Sequence, residues 1–273
     1  MVDHGDHRYL PDADRLSILS ATILLAYTLA RFIQFPSQEI GVQLPGLYLA
    51  FTPNIYTIIA LIVAGLTATG ANNILHTHPL LGSERTIGHW ILPALTAWVI
   101  GLPLFQLPLS PLWWLGFTLG GALLMGVLVA EFITVYPDDA RYLTASIGLI
   151  TVAFALFLAL TIALRIVGTR LLMIVPALAL AAGLVSLRVL HLRQHEKWQY
   201  ANAAVTALVI GQFAAAFHYW PLSPVSYGLV VLGLAYSLTS FLGNLAEGEK
   251  IRQAIIEPLI VLIIILISAA VFN

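Results

Sequence analysis

The chain has no cysteine among its 273 residues, which excludes disulfides, thiolate metal sites and thiol nucleophiles. It is also poor in charge: Lys, Arg, Asp and Glu make up 9% of it, against 60% hydrophobic residues. So little polar surface cannot clothe a water-soluble exterior, and a membrane location is expected. No soluble domain fits between the apolar runs, the longest polar stretches being the first 15 residues and a few loops. A net charge of −1 and the lack of a basic stripe give no reason to expect nucleic acid as a partner. The first residues, MVDHGDHRYLPDADR, lack the basic start of a secretory signal, and no small-residue cleavage site follows the first apolar run. That run is expected to be retained as a helix.

What is present is a series of long apolar runs. Segments of about 20 residues match the hydrocarbon core as helices, whereas barrel strands would need about ten residues of alternating polarity. The fold class is therefore all-α and polytopic, one membrane domain over 1–273 with a polar N-terminal segment at 1–15. Helices are predicted at 16–34, 51–71, 90–107, 112–134, 144–166, 170–190, 200–219, 223–243 and 254–272. Proline in the stretch PLSP, at 108–111 and again at 221–224, divides two of the longer runs, since the residue before proline is biased out of the helical region.

With the N-terminus in the cytoplasm, nine of the 12 Lys and Arg residues fall on that side, leaving Arg31, Arg165 and Arg170 on the other. This satisfies the positive-inside rule and places the C-terminus opposite, in a cell inner membrane. Trp113, Trp114 and Trp220 lie beside the PLSP turns, and Trp90 and Trp198 at the opposite helix ends, as interfacial indoles do.

The sequence also repeats itself. ALTAWVIG at 94–101 matches AVTALVIG at 204–211 at six of eight positions. LARFI at 29–33 parallels ALRIV at 163–167, and AGL recurs at 64–66 and 182–184. Four matches in one order predict a duplication, helices 1–4 (16–134) repeated as helices 5–8 (144–243), plus a ninth helix. An even-numbered unit keeps its orientation on repeating, so the halves would form a parallel repeat with a ligand site expected between them.

Candidate chemistry gathers in the loops after helices 2 and 6. Asn72 and His76 are spaced i, i+4, as are His191 and His195. That spacing puts two side chains on one helix face, as metal ligation requires. His76, His78, His191 and His195 are the candidate ligands for a divalent metal, with Glu84 or Glu196 to complete the site. Interfacial solvation is the plainer reading of the same residues. Glu131 and Glu257 are further candidates, because a carboxylate at membrane depth should face protein or water, and Arg188 lies near the inner end of helix 6. Arg31 and Arg165 suit headgroup contacts at the outer helix ends.

This layout resembles the UbiA-type intramembrane prenyltransferases: nine helices as four plus four plus one, with polar motifs in the inner loops after helices 2 and 6. The resemblance covers nearly the whole chain in layout and spacing. In that family the two loops carry aspartates three residues apart that bind magnesium and an isoprenoid diphosphate. Here Asn72, His76, His191 and His195 occupy the loops and neither has an aspartate. The resemblance implies a lipid-facing fold whose reaction is lost or changed, since magnesium prefers oxygen ligands. The function expected is binding or moving a lipid or isoprenoid-like ligand. The alternatives are a structural subunit of a larger membrane complex, with other membrane subunits as partners, and a metal-dependent enzyme acting on a lipid.

Overall fold

The computed structural model describes residues 10–32, 40–44, 47–51, 55–78, 86–168, 170–194 and 198–272. Among these, nine helices are long and apolar enough to cross a membrane, and the chain is a polytopic integral membrane protein. It divides into two compact units, Met1–Val135 and Tyr136–Asn273.

The first unit holds α1 (Ala13–Phe32), α2 (Ile55–Leu75), α3 (Ile91–Gln106) and α4 (Pro111–Ile133), with a short 3-10 turn, Thr86–Trp90, leading into α3. A hairpin of β1 (Ile40–Leu44) and β2 (Leu47–Phe51) precedes α2, paired antiparallel with Ile40 opposite Phe51 and Leu44 opposite Leu47. The second helix was expected over 51–71; Phe51 instead belongs to a strand and α2 starts four residues later. The signal lay in Pro45-Gly46, a turn dipeptide between two short runs containing Val, Tyr and Phe. Each α1 to α4 neighbour pair packs together, and α1 also meets α4. Ile23, Tyr27, Ala97, Leu104, Trp113 and Leu124 form the core between them.

The second unit holds α5 (Tyr142–Ile166), α6 (Leu171–Gln194), α7 (Tyr200–His218) and α8 (Pro224–Ala246). It repeats four of the first unit's packing pairs: first with second, second with third, third with fourth, and first with fourth. The ninth span, expected as one helix over 254–272, is α9 (Ile251–Ala254) and α10 (Ile256–Val271) with a break at Ile255. Pro258 explains the break, because it has no N–H to donate to the Ala254 carbonyl. Asn244 Nδ2 donates to that carbonyl instead, at 3.1 Å. Three serines of the α8 segment also donate to the ninth span: Ser223 to Phe272 O, Ser226 to Ala269 O and Ser237 to Pro258 O, at 2.8–2.9 Å.

Both PLSP turns end a helix and start the next with proline at its first position. In the first, Leu107 is extended (ψ 135°) before Pro108, and α4 begins at Pro111. In the second, Ser223 caps α8 by accepting from Ser226 N at 3.1 Å.

Candidate functional site

A helix ending in an apolar medium leaves carbonyls that need donors. In the first unit Arg31, in the last turn of α1, donates Nη1 to Phe105 O at 2.8 Å and Nη2 to Leu107 O at 2.9 Å. Trp113 Nε1 donates to Leu104 O at 2.9 Å. In the second, Arg165 donates Nη1 to His218 O at 2.8 Å and Nη2 to Trp220 O at 3.3 Å, and Tyr227 OH donates to Ala214 O at 3.0 Å. Both arginines thus reach the carbonyls three residues and one residue before PLSP. Leu104 and Ala214 each lie three residues beyond the glycine that ends the matched octapeptide.

Between Arg31 and the first PLSP turn lies a cavity of about 660 Å³ whose walls include Phe32, Leu109, Pro111, Trp113 and Trp114. Apart from the Arg31 guanidinium and the hydroxyls of Thr28 and Ser110, the lining is hydrocarbon and indole. Such a cavity suits the end of an amphiphile.

At the opposite end of the first unit, Glu131 closes α4 with 1% of its surface exposed. Its Oε2 lies 2.9 Å from Nδ1 of His89, itself 8% exposed, in the 3-10 turn before α3. With Glu131 ionised, Nδ1–H is the donor, and the carboxylate fixes the imidazole's tautomer and orientation. Sequence reasoning singled out Glu131 and missed His89. Its signal was the hairpin itself: α3 and α4 are antiparallel, and His89 and Glu131 stand almost equally far from the centre of 108–111.

The predicted metal ligands have separate surroundings. His76 is exposed just beyond the end of α2, its Nδ1 2.8 Å from the carbonyl of Asn72 in the helix's last turn. His78 is buried against Phe132, the ring centroids 4.7 Å apart. His191, in the second unit, stacks on Trp198 at 3.8 Å with the rings 10° from parallel. His195, like Glu84 and Glu196, lies outside the described residues. Among the described residues no three His, Cys, Asp or Glu side chains group as a metal site.

Arg188 is wholly buried in α6. Glu257, at the start of α10, accepts from Tyr236 OH at 3.0 Å and from Ser240 Oγ at 3.2 Å, both on α8. Arg193, read from sequence only as an inner charge, donates Nε to Glu247 Oε1 and Nη2 to Asn244 Oδ1, both at 2.8 Å. A Cβ at Gly243 would sit 2.7 Å from Arg193 Nη1, so glycine there lets the guanidinium lie against α8.

Taken together, these features define an integral membrane protein whose polar groups cluster at helix ends and between helices. The model of a family described as protein of unknown function (DUF5656) matches residues 35–272, and the chain belongs to that family. No curated protein and no solved structure matches it.

Proposed function

We propose that this protein binds a lipid or isoprenoid-like amphiphile in the membrane. The cavity beside Arg31 carries the reading: its size lies within the range of about 300–1,000 Å³ for small-molecule sites, and its lining is apolar with one cation. The resemblance of the sequence layout to UbiA-type prenyltransferases supports the same ligand class, and the lack of aspartate in the two loops after helices 2 and 6 supports a role other than magnesium–diphosphate chemistry. Native mass spectrometry of the purified protein should show bound lipid that survives detergent exchange. Leu109→Trp, which narrows the cavity and leaves Arg31 in place, should lower its occupancy several-fold. No lipid above the level of a size-matched control membrane protein would sink the reading.

The two units are, in this reading, copies of one four-helix unit in parallel orientation. Three things support this: the matched octapeptides, the four packing pairs common to both units, and the arginines that reach carbonyls at one register. The nine-to-three bias of Lys and Arg supports a cytoplasmic N-terminus. Because the chain has no cysteine, Asn273→Cys introduces a single thiol. An impermeant maleimide should label it from outside the cell, and labelling only after permeabilisation would reverse the orientation.

A metal-dependent enzyme is the second reading, favoured by the buried His89–Glu131 pair. A carboxylate-oriented imidazole is a common unit of both metal ligation and proton transfer.

A further inference from the structure

Among the described residues, buried threonines follow a rule with one exception. Thr67, Thr96, Thr161 and Thr206 each donate to the carbonyl four residues back, and Thr134 to the one three back. Thr239, on α8 and 1% exposed, has a buried hydroxyl with no hydrogen-bond partner. An unmet buried hydroxyl costs about 1–3 kcal/mol, so a group that meets it is favoured.

Thr239 lines a cavity of about 230 Å³ inside the second unit. One wall is hydrocarbon: Ile150 and Phe154 from α5 and Val189 from α6. The other is polar: Thr239, Tyr236 and Ser240 from α8, with Arg193 from α6. Tyr236 and Ser240 give their protons to Glu257, which leaves their oxygens as acceptors. Thr239 contributes a donor, and the Arg193 guanidinium beside it is held by Glu247 and Asn244. The polar wall therefore offers donors and acceptors together, which suits a hydroxyl, a group that both gives and takes a proton.

Charge separates this from a phosphate site. The charged groups in or bonded to the polar wall are one cation, Arg193, and two carboxylates, Glu247 and Glu257. A phosphate would meet an arginine already paired and two like charges, whereas a neutral hydroxyl needs no charge partner.

We infer that this cavity binds the hydroxyl head of a neutral lipid alcohol, an acylglycerol or an isoprenoid alcohol, with the first carbons of its chain against Ile150, Phe154 and Val189. The inference rests on the lipid-binding reading for the class of its occupant but uses none of the residues of the Arg31 cavity. The test is photolabelling of the full-length protein in nanodiscs with a diazirine-tagged diacylglycerol, read by peptide mapping.

Labelling is expected within 150–154 and 236–240, reduced at least about fivefold by unlabelled dioleoylglycerol. Dioleoylphosphatidic acid, the same chains with a phosphate, and free glycerol should leave it unchanged. Thr239→Val keeps the shape and should raise the dioleoylglycerol needed for half competition by about tenfold, the loss of one buried hydrogen bond. Ile150→Trp fills the apolar part and should abolish labelling at 236–240 alone. Equal competition by phosphatidic acid overturns the neutral class, and competition by free glycerol overturns the lipid source. Unchanged labelling in both variants overturns the site. Labelling confined to 28–32 and 109–114 would overturn it too while leaving the lipid-binding reading standing, whereas no labelling anywhere would remove both.

Discussion

The two units share one wiring at the PLSP end and differ at the other. Arg31 and Arg165 satisfy carbonyls at the same places, and Trp113 and Tyr227 serve one more carbonyl each. That end is constrained by the backbone, since any helix pair turning in an apolar medium must supply donors for its last carbonyls. The opposite end, where α2, α4, α6 and α8 finish, shows no such shared wiring among the described residues. There the first unit holds an imidazole–carboxylate pair, and the second holds an arginine, two carboxylates and a hydroxyl cluster. What is free to differ is where the distinct chemistry lies.

The comparison is broken most severely at its most different point. His89→Ala leaves the Glu131 carboxylate buried without its imidazole and should cost about 3 kcal/mol or more, against less for Glu131→Gln, which keeps a hydrogen-bonding group. Thermal unfolding of the two variants in one detergent gives the order, and equal midpoints would show that the pair contributes nothing as a pair.

The shared wiring predicts a smaller effect, alike in both units. Arg31→Ala and Arg165→Ala each remove two hydrogen bonds to helix-end carbonyls and should each cost about 1–3 kcal/mol. Proteolysis kinetics at the two PLSP turns would measure them separately. An effect in one unit and none in the other would argue against two copies of one design.

The smallest effect sharpens the contrast within the matched octapeptides. A Cβ at Gly101 would fall 2.8 Å from the Tyr27 ring, which is buried and bonded through its hydroxyl to Ala97 O, so the ring cannot withdraw freely. A Cβ at Gly211 meets the Ala179 methyl at 3.1 Å and Val175 Cγ1 at an ordinary 3.8 Å. Gly101→Ala should therefore cost about 1–2 kcal/mol and Gly211→Ala less, a difference visible as separate melting midpoints. Equal midpoints would mean that Tyr27 yields.

Much of the fold was legible because a bilayer asks for little beyond length and apolarity: each predicted span overlaps an observed helix. The error at α2 came from an apolar run whose first part pairs as a strand, which hydropathy alone cannot separate from helix. The candidate site was less legible. Glu131 stands out as a carboxylate beside apolar residues, but its partner sits 42 positions away and is found only by folding the hairpin about its turn. Arg193 looked like one more inner charge until Glu247 and Asn244 were placed around it. Thr239 carries no mark in the sequence at all. Whether a helical threonine bonds to its own backbone depends on a rotamer that the neighbours choose.

In each serine bond between the α8 segment and the ninth span, a step along one chain is matched by an equal step back along the other: 223 to 226 to 237 answers 272 to 269 to 258. All three bonds therefore exist in a single alignment, and a slide of even one residue along the membrane normal would unmake them at once. Lipid gives two apolar helices little reason to prefer one height over another. These serines act as the teeth of a rack, so the ninth span can travel only where α8 carries it.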